Sequence, residues 1–241
     1  MRILIVRHGD PDYANDTVTE KGKREVELLA DRLEKEKIDY FYVSTMGRAK
    51  ATCQATLNRV NKKAVEFDWL REFQHQVENP FMPGHTMGTW DFYPDYWTKD
   101  ERYFSYKDWH QTELFKAGEI EKHYKNLCDN LDALLEKHGY KRDGKIYKAV
   151  RANKDTIAFF CHFGVESYIL SHLLNVSPLV ITHGFCALPS SVTTLITEER
   201  KEGIASFRCL TFGDTTHLYV GDEEPSFSAR FCETFDSEDR H

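Results

Sequence analysis

Four short stretches place a cationic or imidazole side chain where an apolar run ends or a helix begins. They are Arg7-His8-Gly9 after ILIV, Gly47-Arg48 after IDYFYVS, Arg71-Glu72, and His162-Phe163-Gly164 after DTIAFFC. Taken singly, each has an ordinary explanation: an arginine in a surface ion pair, a histidine in a turn or in the core, an RE pair in a loop. Taken together they describe an anion site. In an open α/β sheet, ligands bind outside the carboxyl ends of the strands, where helix N-termini offer backbone N–H groups and a partial positive charge. Forked guanidinium donors and imidazoles at such a place suit a phosphate group.

The elements that must carry these groups are legible from periodicity. Residues 3–6, ILIV, form a continuous apolar run suited to a strand covered on both faces. After a loop, Thr19 caps a predicted helix with Val26, Leu29, Ala30 and Leu33 on one side. IDYFYVS reads as the second strand and GRAKATCQATLNRV as the second helix, with Ser44 or Thr45 as its cap, and a short strand falls around 65–67. Helical spacing returns at 119–138, DTIAFFC is another buried strand, and VESYILSHLLN is a helix closed by a turn at Asn175 and Pro178. LPSSVTTLITEE, ASFRCLTFG and TTHLYV read as late strands, the last two joined by a hairpin at Gly213-Asp214, and the tail from Asp222 reads as loosely held. The alternation predicts an α/β fold of αβα sandwich type, helices flanking a mostly parallel central sheet, as one domain over residues 1–241. Residues 74–117 hold three of the four tryptophans without periodicity and are expected to form an ordered insertion or lid.

Composition sets the outer bounds. The chain has 241 residues, 41% hydrophobic and 29% charged, with a net charge of −7. That balance excludes a general nucleic-acid or membrane-surface binder, so any affinity for anions must be local, and a small phosphorylated metabolite is the expected partner. No stretch is long and apolar enough to span a bilayer and the start does not read as a signal peptide; a cytoplasmic protein is expected, its oligomeric state unread. Cys53, Cys128, Cys161, Cys186, Cys209 and Cys232 form no CxxC pair and read as reduced packing thiols. His75, His85, His172, His183 and His217 show no metal-ligand spacing. Trp90, Tyr96, Trp97 and Trp109 read as local core, with the lining of a lid as the alternative.

The set RHG, GRAKAT, RE and CHFG, in this order, resembles the histidine phosphatase superfamily, the phosphoglycerate mutase-like family; VTEKGKREVELLADRL resembles the helix after the RHG loop, and LPSSVTTL the late strand beside the pocket. The resemblance covers most of the chain apart from the aromatic stretch. It implies that His8 is the nucleophile that forms a phosphohistidine, its other ring nitrogen fixed as N–H by a backbone carbonyl. Arg7 and Arg48 would grip the phosphoryl oxygens, Gly9 would let the backbone approach closely, and His162 would complete the pocket, most usefully when protonated. Glu72 would be the proton donor, with Glu78 as the nearby alternative. Asp10 stands where many relatives have glutamate, Phe163 where glycine is more frequent, and Ala14 and Asn15 fall near a supporting asparagine of the mutases. This implies hydrolysis of a small phosphate monoester with no metal and no cofactor. A phosphomutase and a non-catalytic phosphate-binding protein are the alternatives.

Overall fold

A strand that is apolar at every position has to be covered on both sides, and β1 (Arg2–Arg7) is. In the computed structural model, which describes residues 1–228 and 230–237, Ile3 and Ile5 enter one core while Leu4 and Val6 enter another across the sheet. β2 (Tyr40–Ser44), β3 (Ala64–Phe67) and β6 (Thr156–Cys161) run parallel to β1, in the order β3-β2-β6-β1. The hairpin of β4 (Tyr140–Asp143) and β5 (Ile146–Ala149) and the long strands β7 (Val192–Lys201) and β8 (Ile204–Asp214) extend the sheet antiparallel on the other side of β1, giving eight strands ordered β3-β2-β6-β1-β7-β8-β5-β4. The expected α/β architecture, helices on either side of a mainly parallel centre, is what the chain adopts.

Helices α1 (Glu20–Leu33) and α2 (Gly47–Val60) cover the Leu4/Val6 face through Leu29, Leu33, Ala49, Cys53 and Leu57. The other face is covered by α3 (Ile120–Lys137) and α4 (Phe163–Leu174), with α5 (Pro178–Gly184) following. α4 is buried at almost every position, in keeping with its weak amphipathicity. Thr19 caps α1 as expected, its hydroxyl accepting the Gly22 N–H at 3.0 Å.

The register of the parallel strands builds the site. Arg7 pairs with Cys161 and Val43 with Phe160, so His8, His162 and Ser44 leave their strands at one edge of the sheet. The approach to β7 returns to the same edge, where Ser190 donates to the His8 carbonyl at 3.0 Å and Arg7 to the Ser191 carbonyl at 3.1 Å.

Several local expectations are corrected. TTHLYV is not a strand: α6 (Thr216–Val220) is helical, because its buried side chains, His217 and Leu218, are adjacent and fit no alternation. Gly213, with φ +61°, bends β8 where its N–H meets Thr193 Oγ1 at 3.0 Å, and the hairpin turn lies instead between β7 and β8 at Gly203, φ +78°. Neither Ser44 nor Thr45 caps α2; Met46 occupies the cap without a side-chain bond, and Asp16 accepts the Gly47 N–H at 2.7 Å. The β4–β5 hairpin, turning at Gly144 (φ +61°), and α5 escaped the periodicity reading. The start of the tail is tied down: Glu223 pairs with Lys21 and Arg24 at 2.8 Å each, and the Ser226 N–H donates to the buried Glu25 at 3.0 Å. Of the cysteines, Cys53, Cys128 and Cys161 are buried while Cys186, Cys209 and Cys232 are exposed, so packing accounts for three of the six.

Residues 76–78 and 86–88 form a small antiparallel ribbon, followed by short helical turns that include Pro94–Trp97 and Glu113–Ala117. Trp109 and Phe115 are fully buried in the main core, while Tyr96 is partly buried against it. No helix among the described residues is long and apolar enough to cross a membrane.

Candidate active site

Several separate stretches of chain meet at the carboxyl edge of β1, β2 and β6. His8 follows β1, and its Nδ1 lies 2.8 Å from the Gly9 carbonyl oxygen. A carbonyl only accepts, so Nδ1 carries the proton and Nε2 keeps its lone pair. The ring is 1% exposed and its centroid stands 5.1 Å from that of His162, tilted by 59°. Burial, then the charge of Arg7, pushes the His8 imidazolium well below its ordinary range, opposed by the Gly9 carbonyl. The ring is therefore neutral at physiological pH.

His162 sits at the N-cap of α4 and is fully buried. Its Nε2 is 2.9 Å from Ser44 Oγ, which itself accepts the Met46 N–H at 3.2 Å. When the hydroxyl gives its proton to Nε2, Nδ1 carries the N–H. Burial, reinforced by His8 and the nearby arginines, pushes His162 well below its ordinary range, against the protonated form expected. Its neutral ring still offers one donor.

Arg7 Nη1 donates to the Ala187 carbonyl at 2.6 Å and to the Ser228 carbonyl at 3.3 Å. Arg48 Nη1 is held by Asp16 at 2.8 Å, and the Arg48 guanidinium lies 5.4 Å from the Tyr13 ring centre. Three buried nitrogens around His8 have no protein partner: Arg7 Nε, Arg48 Nε and His162 Nδ1. Buried donors are rarely left so, and three at one spot define a place for a multivalent acceptor.

Gly9 is required by contact: a Cβ there would stand 2.8 Å from Val26 Cγ1, and the Gly9 N–H donates to Thr52 Oγ1 at 3.0 Å. Glu72 lies in the wall above, its Oε1 accepting from Phe73 N at 2.8 Å and Val165 N at 3.0 Å. Burial raises the Glu72 carboxyl above its ordinary range against the pull of these amides and Arg7. Glu78 is exposed on the ribbon, away from the cleft that Glu72 lines.

The cleft that opens above Arg7, Arg48 and Glu72 holds about 1070 Å³. Of the site residues expected from the sequence, Arg7, Arg48 and Glu72 line this cleft, while His8, Gly9 and His162 are buried beside it. Not foreseen were Asp16, Ser44, Thr52 and the buried Glu166, whose pKa burial raises to about 7 against the pull of Thr193 and Arg7. Asp16, with φ +46°, follows the Asn15 considered beside Ala14. Of the other histidines, His75 stacks on His123 with centroids 3.5 Å apart and His172 bonds Asp132 at 2.9 Å. His217 meets Ser190 at 3.2 Å, and His183 bonds the Leu179 carbonyl at 2.9 Å. Among the described residues no group of three or more His, Cys, Asp or Glu could hold a metal ion.

Residues 3–209 match the family model of the histidine phosphatase superfamily, branch 1. The chain belongs to the histidine phosphatase superfamily. A search of curated proteins finds no match. Among solved structures, this histidine phosphatase chain is similar in fold to a phosphoserine phosphatase variant from Entamoeba histolytica in complex with phosphoserine (TM-score 0.57, 19% identity, covering 90% of this chain and 98% of that one). It is similar also to a phosphoglycerate mutase from Bacillus anthracis (0.59, 16%, covering 92% and 97%) and to the mycobacterial glucosyl-3-phosphoglycerate phosphatase (0.56, 14%, covering 88% and 98%). At these identities the likeness concerns the fold of the histidine phosphatases, and substrates do not transfer with it.

Proposed function

We propose that the protein is a phosphatase that hydrolyses a small phosphate monoester through a phosphohistidine on His8, working as one domain with residues 74–117 as an insertion beside the cleft. The observation that carries this reading is the trio of orphaned buried donors, Arg7 Nε, Arg48 Nε and His162 Nδ1, set around a neutral imidazole whose Nε2 is free to attack. Three equatorial oxygens of a transferring phosphoryl group need such donors.

In the first step His8 Nε2 forms a bond to phosphorus as the ester P–O bond breaks. The leaving oxygen takes the proton of Glu72, whose carboxyl burial raises above its ordinary range. In the second step Glu72, now ionised, removes a proton from a water molecule. That water attacks phosphorus, the P–N bond breaks, and its electron pair returns to Nε2 with release of inorganic phosphate. Arg7 and Arg48 carry the charge throughout, fixed by Ala187 and Asp16. A cleft of about 1070 Å³ leaves room for water beside the phosphoryl group, which favours hydrolysis over return of the group to a bound alcohol.

His8→Ala is expected to abolish both turnover and the acid-labile phosphoenzyme. Unchanged hydrolysis in that variant overturns the reading. Inorganic phosphate measured against isomerised product separates the phosphatase from a mutase.

A further inference from the structure

Resting on the phosphatase reading, we infer that the leaving group is an uncharged alcohol bearing an aromatic ring. The cleft is larger than a phosphorylated three-carbon acid requires, just above the ~300–1,000 Å³ usual for small-ligand pockets. Away from its phosphate end, its walls carry the rings of Trp90, Phe92, Tyr93, Trp97, Phe163 and Phe185 among smaller and polar groups. Two of these begin at the chemistry itself. A Cβ on Gly164 would lie 2.5 Å from Glu72 Oε1 and 3.1 Å from Trp90 Cζ3, so the Trp90 indole flanks the carboxyl that must meet the leaving oxygen. The Phe163 ring centre is 6.0 Å from the Arg7 guanidinium, so a second ring stands beside the phosphate end.

The charges in the same wall point the same way. Asp91 lines the cleft, is partly buried, and takes part in no ion pair among the described residues; burial raises its pKa. Beyond Arg7 and Arg48 the cation in the lining is Arg230, which Glu233 meets at 3.8 Å and which lies 4.3 Å from the Phe227 ring centre. A carboxylate on the leaving group would face Asp91 and indole surfaces, with Arg230 already paired to Glu233, and would lose hydration with little returned. An aromatic ring would instead exchange water for ring-on-ring contact, with Trp97 already packed against His183 at 4.9 Å as part of a fixed surface. Binding energy gained there orients the ester oxygen toward Glu72.

Aryl esters are intrinsically more reactive than alkyl esters, so the test uses alcohols of similar acidity. Wild-type kcat/KM for benzyl phosphate is expected to exceed that for butyl phosphate, phosphoserine and 3-phosphoglycerate by about tenfold or more, the factor one good aromatic contact supplies. Trp97→Leu and, separately, Trp90→Leu should bring the benzyl-to-butyl ratio toward one, and Trp97→Phe should largely restore it. Calorimetry with benzylphosphonate and butylphosphonate measures the same preference without turnover. Equal handling of benzyl and butyl compounds by the wild type in both assays, or a preference for the carboxylated esters, overturns the aromatic assignment while leaving the phosphatase reading intact. A phosphonate preference without any ester hydrolysis does the reverse.

Discussion

At the residue scale, the two groups that exchange protons and phosphorus are tuned in opposite directions by the same burial. His8 is pushed down and Glu72 up. The reactive combination, neutral imidazole with protonated carboxyl, therefore exists between the two shifted values. The rate should rise as pH climbs through the lowered value of His8 and fall as it climbs through the raised value of Glu72. Glu72→Gln removes the alkaline limb and lowers kcat for alkyl phosphates by about 10²- to 10³-fold, because the alkoxide then leaves without a proton. For p-nitrophenyl phosphate, whose anion needs none, the loss in the rate of the p-nitrophenol burst should stay within about tenfold, while hydrolysis of the phosphoenzyme, which needs Glu72 as base, slows for both esters. Single-turnover rates of phosphoenzyme formation with both esters check this; equal losses in that step would mean that Glu72 acts by holding its loop rather than by giving a proton. Arg7, His8, Arg48, Glu72 and His162 were legible because their types and strand-end places are unusual together. Asp16 and Ser44 were not, since one aspartate in DPDYANDT looks like any other and a serine at a strand end looks like a cap.

At the element scale, the start of α4 does two jobs, and Gly164 shows the constraint. Its missing side chain lets the Glu72 carboxyl reach Val165 N at 3.0 Å. Gly164→Ala gains about 0.5–1 kcal/mol of helix propensity yet puts a methyl where that carboxyl lies. The expected result is a Tm within a few degrees of wild type and a kcat about tenfold lower, from displacement of the acid. In a Glu72→Gln background the same change should cost far less; full additivity would show that Gly164 acts elsewhere. Elements of strong period were read directly: β1, α1, α2, α3 and β6 follow from apolar runs or i, i+3, i+4 spacing. α6 was misread because Thr, Val and Tyr suggest a strand by composition, whereas the decision rests on where His217 and Leu218 find cover. The aromatic stretch divides by the same tertiary logic. Trp109 is core and Trp90 and Trp97 are wall, and nothing local distinguishes them.

At the scale of the whole molecule, an acidic chain with a net charge of −7 keeps a cationic pocket, and a buried carboxyl, Glu166, lies near enough to Arg7 to feel its charge. Glu166, one turn into α4, is 1% exposed, and its pKa stands at about 7 against an ordinary 4.5, burial being the main cause. The linkage has a definite sign. Between 4.5 and about 7 the unfolded chain releases this proton while the folded one retains it, so the unfolded state binds fewer protons and stability declines as pH rises. Below 4.5 the contribution is fully present, and above about 7 it is gone and the curve levels. A displacement of this size is worth about 3 kcal/mol across that window. Chemical denaturation of wild type and Glu166→Gln at pH 5 and pH 8 should show the wild type losing stability relative to the variant by an amount of that order. The difference comes from titration, so it survives any constant cost of the amide itself. Parallel curves for the two proteins would mean that Glu166 is ionised throughout, its charge met by Arg7, and that the guanidinium held for the substrate is already half spent on the fold.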